Sequence, residues 1–209
     1  MTARILKYFA LAVCLLLTGA NYISAGQIEA EALLKDAGGE SIGAVLFKQE
    51  PGGPVEITVD IHSFLPGERA IHIHEYPCEA PDFDKAGGHF NPEGKKHGFL
   101  NKEGPHAGDL PNILVDEEGN CRAVFISNRI TLEEGKKNSI LRAPGTSIVI
   151  HKMPDDYFTD PAGRGGERIA CGTIRKISPA AGQTGCASSR LSAALRRIAS
   201  LILPGRGRE

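Results

Sequence analysis

The sequence lacks an apolar run long enough to cross a bilayer comfortably. Its most apolar stretch, FALAVCLLL, follows Arg4 and Lys7 and ends in small residues. This order is typical of a cleaved secretory signal peptide, so we expect residues 1–26 to be removed. An uncleaved amino-terminal anchor is the alternative interpretation. At 209 residues the chain also lacks the length for a second full domain, which leaves one domain and two extensions.

The body of the chain lacks a long helical period, and short alternating runs take its place. In VEITVDIH, residues 55–62, apolar side chains alternate with polar ones, so one face of a strand turns to the core. Further strands are predicted at 27–34, 42–49, 69–75, 112–116, 121–127, 146–151 and 169–175, with a hairpin turn at DEEGN. Eight short antiparallel strands indicate an all-β sandwich or flattened barrel.

Two long segments, Pro77 to Leu110 and Lys152 to Glu167, resist assignment to strands because they are rich in Gly, Pro, Asp and Lys. Long segments of this kind inside one domain are usually functional. We therefore expect a domain at 27–177 with two functional loops, followed by a linker and tail at 178–209.

The chain lacks a strong net charge, but the total of −1 hides an asymmetry. Residues 28–177 carry 17 basic and 24 acidic side chains, a net of −7, whereas the tail carries five arginines and one glutamate. Within the tail, apolar residues recur at helical spacing between arginines, which predicts a basic amphipathic helix over 188–208, outside the barrel. That helix could bind an anionic membrane or polyanion, or pack on the barrel or a second copy of the chain.

If the protein is exported, its cysteines can form disulfides, because the compartments outside the cytoplasm are oxidising. Four cysteines follow the signal peptide, at positions 78, 121, 171 and 186. They allow three pairings, and the sequence does not choose among them.

The stretch AIHIHEY places two histidines on one face of a strand, because side chains alternate between faces. Ile71 and Ile73 would face the core, and His72 and His74 would face outward. Two imidazoles at this spacing can bind one metal ion, although two solvated histidines are the commoner outcome.

The remaining histidines favour the metal interpretation. His89, His97 and His106 lie in the first long segment, and Asp109 follows three residues later. Three imidazoles and a carboxylate suit a tetrahedral Zn²⁺ site. His151 ends the strand SIVIH, and with His72 and His74 it forms an all-imidazole set that suits copper.

The motifs HIHEY, GGHFNP, KHG, HAGDL, VIHK and RIACGTI occur in an order and spacing that resembles the copper,zinc superoxide dismutase family, over residues 28–177. The resemblance implies an eight-stranded Greek-key barrel and two bound metals, copper and zinc. It implies the copper ligands His72, His74, His89 and His151. It implies the zinc ligands His89, His97, His106 and Asp109, so that His89 is a bridging imidazolate.

The resemblance also implies three supporting roles. Asp155 would link the two sites through His72 and His97, with Asp156 as the fallback. Cys78 and Cys171 would form a disulfide, and Arg168 would dock the substrate anion. Two departures stand out: Cys78 lies only four residues after His74, as in the bacterial branch, and the second loop is shorter than in animal enzymes.

The activity implied is the dismutation of two superoxide anions to dioxygen and hydrogen peroxide, as copper alternates between Cu²⁺ and Cu⁺. A copper- and zinc-binding storage protein or chaperone is the competing hypothesis, but storage needs neither the bridge at His89 nor the anion dock at Arg168. The sequence predicts a periplasmic or extracellular protein, in contact with the cell envelope if the tail binds membranes. It predicts no nucleic-acid partner and leaves a homodimer open.

Overall fold

The computed structural model describes residues 26–178, which are built almost entirely of β-strands and loops. The predicted helical tail and all but the last residue of the predicted signal peptide lie outside the described residues. Nine strands follow one another, and a short 3-10 helix, Phe83–Ala86, lies in the first long loop. The strands are β1 (Ile28–Asp36), β2 (Ser41–Gln49), β3 (Val55–Ile61), β4 (Gly67–Arg69), β5 (Ile71–His74), β6 (Ile113–Val115), β7 (Cys121–Ser127), β8 (Ser147–His151) and β9 (Arg168–Lys176).

Seven strands form one antiparallel sheet in the order β5-β8-β9-β1-β2-β3-β7, and β4 pairs with β6 in a second, two-stranded sheet. The large sheet curls around an apolar core. Its edge strand β5 continues from β4, and its other edge strand β7 follows β6 through the turn at 116–120. The small sheet thus spans the gap between the two edges. The all-β antiparallel Greek-key barrel expected from the sequence is confirmed.

The strand predicted at 69–75 is in fact two strands, which raises the count from eight to nine. The chain changes partners at Ala70: residues before it pair with β6, and residues after it pair with β8. Ala70 itself donates to the Met153 carbonyl at 3.0 Å and accepts from the His151 amide at 2.9 Å. A corner of this kind leaves the apolar alternation of the strand intact, so the alternation alone does not reveal it.

The core follows the alternation read in the sequence. In β3, Val55, Ile57, Val59 and Ile61 are buried, and the residues between them are partly or fully exposed. The same rule operates in β5 and β8, where Ile71, Ile73, Ile148 and Ile150 belong to the core cluster. His72 and His74 therefore point to the outer face of the barrel wall, as predicted from strand parity.

The two long loops cover that outer face, so all four residues of β5 are buried. The first loop folds back on β5, with hydrogen bonds from Ile73 N to Gly108 O at 2.9 Å and from Phe90 N to Ile73 O at 2.8 Å. A side chain at Gly108 would place its Cβ 2.3 Å from the Ile73 carbonyl oxygen. Glycine is required there because the loop backbone lies directly on the strand.

A disulfide joins Cys78 of the first loop to Cys171 of β9. Both cysteines lie in a small apolar cluster on the outer face with Phe83, Ala86 and Val149. Cys121 is buried and has no disulfide partner among residues 26–178. Cys186, which the sequence left as a partner for Cys121, lies outside the described residues. Within those residues, no helix is apolar and long enough to span a bilayer.

We predict that changing both Cys78 and Cys171 to serine lowers the free energy of unfolding by about 4–5 kcal/mol, because the bond closes a loop between residues 93 positions apart. Urea denaturation with and without a reductant measures the loss. The reductant should destabilise the unaltered protein and leave the double variant unchanged. A Cys121→Ser variant is the control, and it should keep the sensitivity to the reductant. Equal stability of the unaltered protein in both conditions would contradict the prediction.

Candidate metal centre

The metal centre forms where the outer face of β5 and the end of β8 meet the first long loop. His72 and His74 come from β5, His151 ends β8, and the loop supplies His89, His97, His106 and Asp109. All seven side chains are buried. They form two groups of four, each with one ligand atom per residue within 4.8 Å of the others. The first group is His72, His74, His89 and His151, and the second is His89, His97, His106 and Asp109.

The first group is held so that ring nitrogens without protons face one another. His74 donates its Nδ1 proton to the Gly87 carbonyl at 3.0 Å, and His151 donates its Nδ1 proton to the Gly166 carbonyl at 3.1 Å. A carbonyl oxygen can only accept, so each neutral ring keeps a lone pair at Nε2. The two Nε2 atoms lie 3.4 Å apart. Two nitrogens bound to one metal at about 2.0 Å stand at a comparable distance.

His72 and His89 complete this group with two further unpartnered nitrogens. His72 donates from Nε2 to Asp155 at 2.9 Å, which leaves its Nδ1 buried without a hydrogen-bond partner. His89 Nε2 is also buried and without a partner. Four imidazole lone pairs that converge in a buried space fit a cation, because nothing else in the site satisfies them.

Burial and the neighbouring imidazoles keep this group neutral. Burial, followed by the charge on His89, lowers the pKa of His72 to about 3. Burial lowers the pKa of His151 to about 4, with a smaller contribution from Arg168. The pKa of His74 also lies well below its ordinary value because of burial. Metal ligation requires the neutral imidazole, so the group is ready to bind a metal ion at neutral pH.

The second group is centred on one oxygen. Asp109 Oδ1 lies 3.0, 3.1 and 3.2 Å from the Nδ1 atoms of His89, His97 and His106. The other carboxylate oxygen, Oδ2, accepts from the backbone amides of Gly98 and His106 at 2.9 Å each. Burial acts to raise the pKa of Asp109, but the hydrogen bonds from the three imidazoles outweigh it and hold the pKa far below its usual range. The donor set of three nitrogens and one carboxylate oxygen is one that suits zinc.

His89 belongs to both groups, with a different ring nitrogen toward each. Its Nδ1 faces Asp109, and its Nε2 is buried without a hydrogen-bond partner, which leaves that nitrogen for the first group. The ring centroid of His89 lies 4.0 Å from that of His72 and 5.1 Å from that of His97. One imidazole therefore separates two cation positions, which is the arrangement that a bridging ligand requires.

Asp155 joins the two groups from the second loop. Its Oδ2 accepts from His72 Nε2 and its Oδ1 lies 2.9 Å from His97 Nε2. Burial acts to raise the pKa of Asp155, but the hydrogen bonds from His72 and His97 hold it well below its usual range. His72 is thereby left with an unpartnered Nδ1, whereas His97 turns its Nδ1 to Asp109. Burial acts to lower the pKa of His97, but the hydrogen bonds to these two carboxylates outweigh it and raise the pKa to about 9. Asp156, the fallback, is exposed and caps Phe158 and Thr159 instead.

Two residues that support Asp155 were not identified from the sequence. The Asn112 side chain accepts from the Asp155 amide at 2.8 Å and donates to the Asp155 carbonyl at 3.0 Å. These two hydrogen bonds fix the backbone of Asp155. Gly163 lies so close that a Cβ there would stand 1.8 Å from Asp155 Oδ1 and 2.6 Å from His97 Nε2. An isolated asparagine and a loop glycine carry no signal in one sequence, because only the folded contact reveals their partners.

Arg129 is a third supporting residue that sequence reasoning missed. Its Nη2 donates to the Asp109 carbonyl at 3.0 Å, and its guanidinium carbon lies 5.0 Å from the centre of the Phe99 ring. Burial lowers the pKa of Arg129, while the charge on Asp109 acts against that shift. The residue thus ties the end of β7 to the loop that carries the second group, from a position 20 residues away in sequence.

Arg168, the predicted anion dock, begins β9 opposite His151 in β8. Its Nη1 donates to the Phe83 carbonyl at 2.8 Å and its Nη2 to the Gly87 carbonyl at 2.6 Å. The Gly87 carbonyl is also the acceptor for His74. One carbonyl oxygen therefore positions both a copper-ligand candidate and the arginine. The Arg168 side chain is 23% exposed and lines a shallow cavity of about 340 Å³.

Comparisons with known proteins agree with this geometry. Residues 41–174 match the family model described as copper/zinc superoxide dismutase. A Cu-Zn superoxide dismutase of Aquifex aeolicus is 48% identical over 167 residues, which cover 79% of this chain and 96% of that protein. A Cu-Zn superoxide dismutase of Caulobacter vibrioides is 38% identical over 149 residues, covering 70% of this chain and 85% of that protein.

Among solved structures, the crystal structure of a SOD-like protein from Bacillus subtilis matches with a TM-score of 0.65 and 37% identity, over 68% of this chain and 96% of that one. The clock protein EA4 matches with a TM-score of 0.60 and 34% identity, over 70% of this chain and 92% of that one. The structure thus brings every predicted ligand into one of two groups, while the assignment of individual residues to copper or zinc stays a prediction.

We predict that Asp155→Ala lowers the affinity for both metals by about 10- to 100-fold, because His72 and His97 lose the acceptor that fixes their orientation. Competition with chelators, followed by metal analysis, measures each affinity. Asp156→Ala is the matched control, since it removes a neighbouring carboxylate that contacts neither histidine. The role given to Asp155 would be wrong if the two variants bound both metals equally well.

Proposed function

Because this chain belongs to the copper/zinc superoxide dismutase family, we propose that its metal centre converts two superoxide anions and two protons into dioxygen and hydrogen peroxide. The observation that carries the proposal is His89, which presents opposite ring nitrogens to two groups of buried ligands. Copper and zinc are the cofactors of the reaction. When bound, copper supplies the one-electron redox chemistry, and zinc supplies a cation that keeps its charge throughout.

The proposed copper ligands are His72, His74, His89 and His151, and the proposed zinc ligands are His89, His97, His106 and Asp109. Neutral imidazoles support the first assignment, since copper accepts them in both of its oxidation states. The carboxylate of Asp109 supports the second, because a hard oxygen donor beside three imidazoles suits zinc. His89 Nε2 is the atom at which a proton would be held and passed to the peroxide product.

Arg168 is the proposed dock for superoxide. Three backbone carbonyls fix the guanidinium, those of Phe83, Asp84 and Gly87. A guanidinium has five N–H donors, so the second hydrogen of Nη2 is left for a ligand in the cavity. The shared Gly87 carbonyl supports a docking position beside His74. A storage protein would need neither this fixed cation nor the shared His89.

Export is the proposed setting of the enzyme, with residues 1–26 as a signal peptide and 27–177 as the catalytic domain. The disulfide between Cys78 and Cys171 is consistent with an oxidising location outside the cytoplasm, such as the periplasm or the extracellular space. The basic segment 188–208 would then attach the enzyme to an anionic envelope surface. Its five arginines would be attracted to an anionic surface, and the net charge of −7 on the body supplies the competing attraction in the alternative packing against the barrel.

The metal-loaded protein should dismute superoxide in a xanthine oxidase and cytochrome c assay, and Arg168→Ala should reduce turnover by about tenfold or more while copper content stays full. Arg175→Ala, at an exposed position of the same strand, is the charge-matched control and should keep full turnover. Absence of activity with both metals present would favour the storage or chaperone alternative. Unchanged turnover in Arg168→Ala would remove the docking role alone.

The proposed role of the tail predicts that the full-length protein sediments with vesicles containing anionic lipid, and that removal of residues 179–209 abolishes the effect. Raising the salt concentration should release the protein, because attraction between exposed charges is screened. Neutral vesicles serve as the control surface. Equal partitioning of the two forms would exclude membrane attachment through the tail and favour packing against the barrel or a second copy.

A further inference from the structure

The rim of the cavity that exposes Arg168 is acidic, which is unexpected beside a dock for an anion. Asp82, Asp84 and Glu167 line this cavity together with Arg168. A carboxylate close to a docking cation lowers the local potential and so weakens the attraction for superoxide. The question is which of the three carboxylates has this effect.

Two of the three have partners of their own. Asp82 pairs with Lys85 at 3.3 Å, and Glu167 pairs with Lys152 at 3.3 Å. Both pairs are exposed, and each brings one positive charge to balance one negative charge at the rim. The ion pair of Asp84 is with the dock itself, at 3.9 Å between Asp84 Oδ1 and Arg168 Nε.

Asp84 is held at this position by its backbone. Its carbonyl accepts from Arg168 Nη1 at 3.4 Å and from the Gly87 amide at 3.1 Å. Its side chain is 97% exposed, so the carboxylate lies in water while remaining next to Arg168, whose side chain is 23% exposed. Nothing in this contact buries the carboxylate, and such an exposed pair contributes little to stability.

We propose that Asp84 is a residue that limits the docking of superoxide, because its carboxylate competes with the substrate anion for Arg168. The inference rests on the proposed docking role of Arg168. A dock of this kind would select small anions that can enter beside the carboxylate and would disfavour larger or more highly charged anions such as phosphate. Asp84 thus sets both the rate of capture and the anion selectivity of the site.

The test is Asp84→Asn, which keeps the backbone carbonyl and the side-chain shape and removes only the charge. In the metal-loaded enzyme, kcat/KM for superoxide at low ionic strength should rise about two- to fivefold, the effect of one unit charge a few ångströms away in water. The gain should disappear at high ionic strength because the exposed charge is screened. Decay of superoxide after pulse radiolysis measures the rate across a series of salt concentrations.

Inorganic phosphate provides a second readout that does not depend on turnover. Its binding, followed by line broadening in ³¹P NMR on the zinc-loaded protein, should tighten in Asp84→Asn by a factor similar to the gain in rate. Asp82→Asn is the matched control, since it removes an equal charge from the same rim at a residue whose ion pair is with Lys85 and not with Arg168. That variant should change both quantities by less than half as much as Asp84→Asn does.

The outcomes separate this inference from the proposed function. If Arg168→Ala lowers turnover but Asp84→Asn changes neither rate nor phosphate binding, Asp84 has no influence on the dock. Equal gains in Asp82→Asn and Asp84→Asn would show a general effect of net charge and would also overturn the inference. If Arg168→Ala leaves turnover unchanged, the docking role itself fails, whatever Asp84 does.

Discussion

The hydrogen bond on the second nitrogen of four of the six imidazoles is the interaction on which the metal centre depends. His74 and His151 donate to backbone carbonyls, and His72 and His97 contact Asp155. Each contact decides which nitrogen of the ring is left for a metal, and it also fixes the direction in which that nitrogen points. Without these partners, buried histidines would lose hydration and gain no defined ligand geometry in return.

This constraint explains why both long loops must lie on the barrel wall. The acceptors for His74 and His151, Gly87 and Gly166, belong to different loops, and Asp155 lies in the second loop. The first loop is tied to the strands by the disulfide and by its backbone contacts with Ile73. The strands thus supply the surface, while the loops supply the acceptors that make the surface selective for cations.

One shared acceptor links the proposed docking residue, Arg168, to a candidate ligand. The Gly87 carbonyl accepts from both His74 and Arg168, so a movement of the first loop would shift a copper-ligand candidate and the proposed docking cation together. The acidic rim acts in the opposite direction, since Asp84 partly neutralises the charge that Arg168 presents. The overall charge of the body gives no indication of this local balance, because the effect depends on which carboxylate faces which cation.

Most of the fold was predictable from the sequence, because strand alternation is set by local side-chain chemistry. The parity of AIHIHEY placed Ile71 and Ile73 inward and His72 and His74 outward, as the structure has them. Strand β7 was predicted with its correct ends, and the long loops were recognised by their lack of alternation. The corner at Ala70 was missed, since a change of hydrogen-bond partner leaves no trace in the alternation.

By itself, the sequence determined the class of the fold, the set of candidate metal ligands and, through its motifs, the family resemblance. These depend on residue types and short-range spacing, which a linear pattern records. Only the tertiary structure decided which nitrogen of each ring is left for a metal, that Asn112 and Arg129 support the ligands, and that Asp84 rather than Asp82 faces Arg168. Those facts depend on contacts between residues far apart in the chain, and such contacts exist only once the loops have closed over the sheet.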